Sequence, residues 1–282
     1  MSSQTKVVEE GLLATALPYR AVGAGQTLLY FPPFAPYHEL TTGFSRTIEL
    51  NILRRFAAGG FRVYQVNRRP GLATGTTMHD LAADYARAIE QHFSQPVDIL
   101  GFSTGGAIAL NFAAEYPHLL RRLVLASAAH RLSPVAWNAS KQAAERAEAR
   151  DRRGFQMAMA PAAALSKPAQ MAAAAFGWLL APLTLKRDWN PSDAVITLRA
   201  DMSIDVDSRL STISTPTLIV CGDSDPSYPL AITAELTQKL PNARRIVYPR
   251  TGHGVVLHKR FVTDLVEFLT PDPTKGTADD AD

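Results

Sequence analysis

A serine at a sharp turn is the first place in this sequence where chemistry could be done. Residues Pro96 to Tyr116 read P-V-D-I-L-G-F-S-T-G-G-A-I-A-L-N-F-A-A-E-Y. Val97, Ile99 and Leu100 make a short apolar run of strand type, and Ala107 to Tyr116 a helical run stopped by Pro117. Ser103 lies between them, with Gly101 two residues before and Gly105 two after. A serine held at such a bend adopts a strained backbone that lifts its hydroxyl clear of the sheet. The backbone on either side then passes close by, and Gly101 and Gly105 leave room for it. Gly106 lets the helix lie near the strands. The helix start aims the Thr104 N–H at the space above Ser103, where a developing oxyanion would sit.

A serine hydroxyl is a poor nucleophile at neutral pH. It needs a base, and a third group to orient that base. Seven histidines compete for the first role. His253 stands in a Gly-His-Gly turn after the last strand-like run, where the flanking glycines let its ring reach inward. His38 and His130 also follow strand-like runs, where either could stand near the pocket, and are read as loop or surface residues. His79, His92, His118 and His258 fall on helices or their ends. For the third role, Gly222-Asp223-Ser224-Asp225-Pro226 offers two carboxylates, with Asp205 and Asp207 as weaker rivals.

These residues must be held by a larger frame. Strand patterns occur at Leu12–Leu17, Thr27–Phe31, Phe61–Val66, Arg122–Ser127, Thr217–Cys221 and Arg245–Tyr248. Helical spacing marks Ile48–Ala58, Thr76–Phe93, Ile232–Leu240 and a closing helix over Val255–Leu269. Thr77 and Asp80 have the spacing of a capping box. Strand and helix alternate, which calls for an α/β fold with a mostly parallel sheet flanked by helices on both faces. Ligands bind such sheets at the carboxyl ends of the strands, and Ser103 is at one. Strand alternation is absent over 131–205, which reads as an inserted helical cap interrupting a core of residues 1–270. Its Met and Trp side chains are read mainly as packing within the cap, a few as the wall of an apolar pocket facing Ser103. Residues 271–282 hold four aspartates and one lysine and read as an acidic, disordered tail.

From Leu12 to Leu269 the chain resembles the α/β-hydrolase fold family, as a serine-nucleophile, esterase-like member with a helical lid. The G-F-S-T-G run corresponds to that family's nucleophile elbow. The resemblance implies the chain order Ser, Asp, His, and so the catalytic set Ser103, Asp225 and His253. Asp225 is three residues after Gly222, where the family takes its acid; Asp223 would then fix the turn. An oxyanion hole is implied between the backbone N–H groups of Thr104 and of a residue in the loop after Phe31. Family members usually carry His-Gly there. This chain has Pro32-Pro33, neither with an N–H, so the donor falls to Phe34 or Ala35, with Phe34 at the matching position.

The activity implied is hydrolysis of a carboxylic ester, lactone or thioester of small to medium apolar acyl group, through an acyl-enzyme. The same three residues also serve acyltransferases, C–C bond hydrolases, lyases and perhydrolases. An inactive binding scaffold is disfavoured by the complete set. A serine at the elbow tip argues against the relatives with aspartate there, such as haloalkane dehalogenases and epoxide hydrolases. No cofactor and no metal is expected.

Composition narrows the setting. A chain of 282 residues, 46% apolar and 20% charged, suits one large globular domain with an insertion. Its one cysteine, Cys221, lies in the apolar run Leu218–Cys221 and reads as a small buried hydrophobe. No internal disulfide can form, and Met1 to Gly11 lack the basic start and apolar core of a secretory signal, so a cytoplasmic location is expected. The longest apolar run, Met171–Leu183, is interrupted by Gly177 and Pro182 and is too short for a membrane span. The formal charge of +3 is spread over isolated Lys and Arg residues, which points away from nucleic acid. The expected partner is a small-molecule substrate; a homo-oligomer is compatible with the composition.

Overall fold

Successive side chains of a strand face opposite ways, and that alternation divides the core of this molecule in two. The computed structural model describes residues 8–163, 167–185 and 189–270, so the acidic segment 271–282 lies outside the described residues. The chain runs β1 (Val8–Leu13), β2 (Leu17–Gly23), β3 (Gln26–Phe31), α1 (Gly43–Ala57), β4 (Phe61–Val66), α2 (Met78–His92), β5 (Val97–Phe102) and α3 (Thr104–Glu115). It continues β6 (Leu120–Ala126), α4 (Pro134–Glu148), α5 (Arg152–Ala163), α6 (Lys167–Thr184), α7 (Ser192–Met202), β7 (Thr217–Gly222), α8 (Leu230–Lys239), β8 (Ala243–Tyr248) and α9 (Phe261–Leu269).

The strands form one sheet in the order β1-β2-β4-β3-β5-β6-β7-β8. β2 pairs antiparallel with β1 and β4, and every other pairing is parallel. Leu29, Phe31, Ile99, Leu123, Leu125 and Ile219 pack with α2, α3 and α8 on one face. Their neighbours Leu28, Tyr30, Leu100, Val124, Leu218 and Val220 pack with α1 and α9 on the other. Both faces being covered explains the unbroken apolar run of β7, all of it buried. α2 begins with the anticipated capping box: Thr77 Oγ1 accepts the Asp80 N–H at 3.2 Å and the Asp80 carboxylate accepts the Thr77 N–H at 2.9 Å.

Two boundaries differ from the sequence reading. The expected strand Leu12–Leu17 is instead a pair, β1 and β2, joined by a short 3-10 turn at Ala14–Ala16. β1 carries two charged residues, Glu9 and Glu10. Its acids are satisfied across the sheet: Glu9 accepts from Tyr19 and Arg62, and Glu10 pairs with Arg20 at 2.7 Å and Arg46 at 3.1 Å. The expected helix Val255–Leu269 keeps only α9. Ahead of it the chain makes only a 3-10 turn at Val255–Leu257; Arg55 draws the carbonyls of Leu257 and His258 at 3.3 and 3.2 Å, and the His258 ring stacks on Tyr248, which interrupts the α-helical ladder.

Helices α4 to α7 all fall between β6 and β7. Phe155, Trp189 and Leu198 join Ala143 and Ala147 in a separate apolar cluster, against which Phe34 and Tyr37 of the loop after β3 also pack. The expected packing role fails on α6, where Met171, Phe176 and Leu179 are largely exposed. This helix lies mainly against α5, which leaves these side chains on its exposed side. No helix among the described residues is long and apolar enough to cross a membrane.

Candidate active site

The serine turn follows from close backbone approach. Ser103 sits between β5 and α3 at φ 54°, ψ −121°, a conformation that residues with a Cβ rarely adopt. Its N–H donates to the Ala126 carbonyl at 3.0 Å, and its own carbonyl accepts from Gly106 at 2.7 Å. A Cβ on Gly105 would come within 2.1 Å of the Phe31 carbonyl oxygen, and one on Gly101 within 2.7 Å of Gly106 Cα. Only glycine fits either place. The strain itself is testable. Ser103→Gly should be more stable than Ser103→Ala by about 1 kcal/mol, because relief of roughly 1–3 kcal/mol is partly offset by the freer unfolded chain. Urea unfolding measures this, and equal stability of the two variants would show an unstrained turn.

Ser103 meets two partners from far along the chain. His253 Nε2 lies 3.0 Å from Ser103 Oγ. On the other side of the ring, His253 Nδ1 is 3.1 and 3.0 Å from the two oxygens of Asp225. An ionised Asp225 only accepts, so Nδ1 carries the proton and Nε2 is left to accept from the serine hydroxyl. Asp225 is buried in the loop after β7, where its Oδ1 also takes the N–H groups of Ser227 at 2.9 Å and Tyr228 at 3.3 Å. Burial pushes this carboxyl up, but the hydrogen bond and charge of His253, with the Ser227 N–H, outweigh it and hold it below its usual range. Phe102 and Tyr228 flank the His253 ring, with centroids at 5.4 and 5.9 Å.

The rival acids have other partners. Asp223 is exposed and ties the two loops together, accepting the Thr251 N–H at 3.3 Å and the Ser224 hydroxyl at 2.6 Å. Asp207 pairs with Lys239 at 2.6 Å. Asp205 is engaged through its backbone carbonyl, which accepts from Arg209 at 2.9 Å.

His38 and His130 lie in loops, as the sequence suggested, but both are buried rather than at the surface. His130 Nε2 lies 3.3 Å from Glu235 Oε1 and 3.6 Å from Asp207 Oδ1, a spacing that suits a metal. The Lys239 ammonium takes those same two oxygens, at 2.9 and 2.6 Å, so a cation is already supplied by the chain.

Among the buried polar groups linked to this site, Asp201, Arg68 and Tyr228 had no signal in the sequence. Thr104 donates its hydroxyl to Asp201, at the end of α7, at 2.8 Å. Burial pushes the Asp201 carboxyl up to about 6, against the Thr104 hydrogen bond and the charges of Arg68 and His253. Arg68, after β4, is buried, and its Nε reaches His38 Nε2 at 3.2 Å. Burial, then the Arg68 charge, push His38 down to about 4. Burial likewise pushes the Tyr228 phenol well above its ordinary value. Arg68 and Arg69 are adjacent and identical in type, and only packing separates the buried one from the other. The Phe34 ring meets Phe155 at 6.2 Å between centroids, and the Trp189 indole N–H donates to the Pro36 carbonyl at 3.1 Å, so the helices after β6 hold this loop.

Asp201 carries a pH prediction. Its folded value is raised, so between pH about 4 and about 6 the native state binds more protons than the unfolded chain. Its contribution to stability therefore falls as pH rises through that window. Asp201→Asn keeps an acceptor for Thr104 and removes the effect. Relative to the unsubstituted protein, the variant should gain on the order of 2–3 kcal/mol between pH 4 and 7. His38 acts in the opposite sense, losing stability as pH falls toward 4, but it is present in both proteins and drops out of the difference. Urea titrations at several pH values measure it; a flat difference would put Asp201 at an ordinary value.

A strained Gly-x-Ser-x-Gly turn on a mostly parallel sheet is a family trait, and a profile of the α/β hydrolase fold matches residues 54–259. The chain belongs to the α/β-hydrolase fold family. This α/β hydrolase is 45% identical to the pyrrolizixenacetamide deacetylase of Xenorhabdus hominickii over 49 residues, 17% of this chain and 18% of that protein's length. An esterase from Exiguobacterium antarcticum has a similar fold, with a TM-score of 0.69, 20% identity, and 92% of this chain and 98% of that one covered. The enol-lactonase of Burkholderia xenovorans is similar at a TM-score of 0.73, 17% identity, and 93% and 100% coverage. At such identities these two likenesses concern the fold.

Proposed function

We propose that this α/β hydrolase cleaves a carboxylic ester, lactone or thioester with a small to medium apolar acyl group, through an acyl-enzyme on Ser103. The observation that carries this is the single chain of contacts from Ser103 Oγ to His253 Nε2 at 3.0 Å and from His253 Nδ1 to Asp225 at 3.0 Å. A hydroxyl so placed can lose its proton to the imidazole as it attacks.

The steps follow from these positions. Ser103 Oγ bonds to the acyl carbon while its proton passes to His253 Nε2. Asp225 holds the ring and stabilises its charge. The carbonyl oxygen becomes an oxyanion, held by the N–H groups of Thr104 and Phe34. The carbon–oxygen bond to the leaving alcohol then breaks, and the alcohol takes the proton from His253. Water repeats the attack with His253 as base and frees the acid and Ser103. Helices α4 to α7 act as a cap, since their cluster already grips the loop that carries Phe34. The fold is one that an esterase and a lactonase also use, and the deacetylase similar over 49 residues removes an acyl group.

The test is a fluorophosphonate probe with peptide mapping, followed by a panel of p-nitrophenyl esters of increasing chain length. Label on the Ser103 peptide and turnover that peaks at short to medium chains are expected. An unlabelled protein without esterase turnover would refute the reading.

A further inference from the structure

We infer that Arg68 is a positioning residue, which fixes the direction of the second oxyanion donor by gripping the two proline carbonyls ahead of it. This rests on the acyl-transfer reading above. The loop after β3 opens with Pro32-Pro33, so its first N–H belongs to Phe34. A double proline has no N–H with which to anchor itself; only its carbonyls can be held. Both are held by one side chain. Arg68 Nη1 lies 3.4 Å from the Pro32 oxygen, and Arg68 Nη2 lies 3.2 Å from the Pro33 oxygen.

The second contact sets a direction. The Pro33 carbonyl and the Phe34 N–H belong to one planar trans peptide and point opposite ways. Holding the oxygen toward the guanidinium turns the N–H away from it. The same loop start lies against the elbow helix, since a Cβ on Gly105 would fall 2.6 Å from the Pro32 oxygen.

The grip is itself steadied through His38, which is held in turn by two further contacts. Arg68 Nε donates to His38 Nε2 at 3.2 Å, and His38 Nδ1 donates to the Arg69 carbonyl at 2.9 Å. The Thr197 hydroxyl of α7 is 3.2 Å from the same His38 Nε2. A neutral His38 is required for that acceptor role, and its burial favours the neutral form. Among the described residues no carboxylate hydrogen-bonds the buried Arg68; Asp201 and Asp193 act on it as nearby charges. A buried cation whose donors go to neutral carbonyls and an imidazole is costly. The rigidity it gives to a peptide that must be ready for the transition state is the compensating gain. Lysine cannot reproduce it, because a guanidinium presents a fixed fork and an ammonium a single point.

The test compares the unsubstituted protein with Arg68→Met and Arg68→Lys. Three quantities are read: kcat and KM on a short p-nitrophenyl ester, and the Ki of phenylboronic acid. Boron accepts an electron pair from Ser103 Oγ while His253 takes the hydroxyl proton, giving a tetrahedral anion that occupies the oxyanion hole. Arg68→Met should lose about 100-fold in kcat, with KM within about threefold and Ki raised in step with the loss in kcat. Arg68→Lys should fall between, near tenfold in both. If Arg68→Met does not fold by circular dichroism, Arg68→Lys carries the test. A folded variant with unchanged kcat and Ki overturns the inference, as does a rise in KM alone. Fluorophosphonate labelling of the unsubstituted protein separates the two readings. Label on Ser103 with no effect at Arg68 sinks this inference only, whereas absent label sinks the acyl-enzyme itself.

Discussion

Ser103→Ala is expected to lose about 10⁴-fold or more in kcat/KM on short p-nitrophenyl esters while keeping its fold. The hydroxyl is the one group at the elbow tip that faces the His253 imidazole, at 3.0 Å. Alanine keeps the Cβ and the backbone bonds of residue 103 to Ala126 and Gly106, so the turn survives. What remains is whatever the oxyanion donors and substrate binding give to attack by water, which in serine hydrolases is a small residue of the whole. Stopped assays on purified variant, beside circular dichroism and urea unfolding, measure both halves. Turnover within tenfold of the unsubstituted protein would remove Ser103 from the chemistry.

Asp225→Asn should cost roughly 10³–10⁴-fold in kcat, and Asp223→Asn no more than a few-fold. The two residues are two apart, chemically identical, and differ only in what they meet. Asp225 receives the His253 Nδ1–H. An asparagine amide there would donate to Nδ1 instead, leaving the proton on Nε2, where it faces Ser103 and blocks the base. Asp223 accepts from the Thr251 N–H and the Ser224 hydroxyl, and an asparagine carbonyl can still accept from either. Parallel pH–rate profiles of both variants check the ranking. A larger loss at Asp223 would move the acid to that position.

The parts of the molecule legible from sequence share one property: their cause lies within a few residues. Leu218–Cys221 reads as a buried strand because every residue in it is apolar, and the sheet covers both its faces. The capping box of α2 is closed by Thr77 and Asp80, three residues apart. The elbow is legible because the clashes at Gly101 and Gly105 are with backbone, which every sequence supplies at that bend. β1 was hidden for the opposite reason. Its glutamates are polar in isolation, and they become strand residues only through Arg20, Arg46 and Arg62 of other elements. The exposed apolar side of α6 was hidden likewise, since a helix does not record which of its sides will lack a neighbour.

The sequence by itself determined an α/β sheet and the strained turn that presents Ser103. With the family resemblance it also pointed to His253 among seven histidines and to Asp225 ahead of Asp223, Asp205 and Asp207. Tertiary structure alone decided the rest. It brought His253 to Ser103 across 150 positions, Asp201 to Thr104 across 97, and Thr197 to His38 across 159. The physical reason is that strand and turn preferences act through local sterics, whereas the burial of a charge depends on what folds over it. Arg68 and Arg69 carry the same guanidinium; one is closed off beneath the loop after β3, and the other stays half-buried and pairs with the buried Asp84 carboxylate at 2.7 Å.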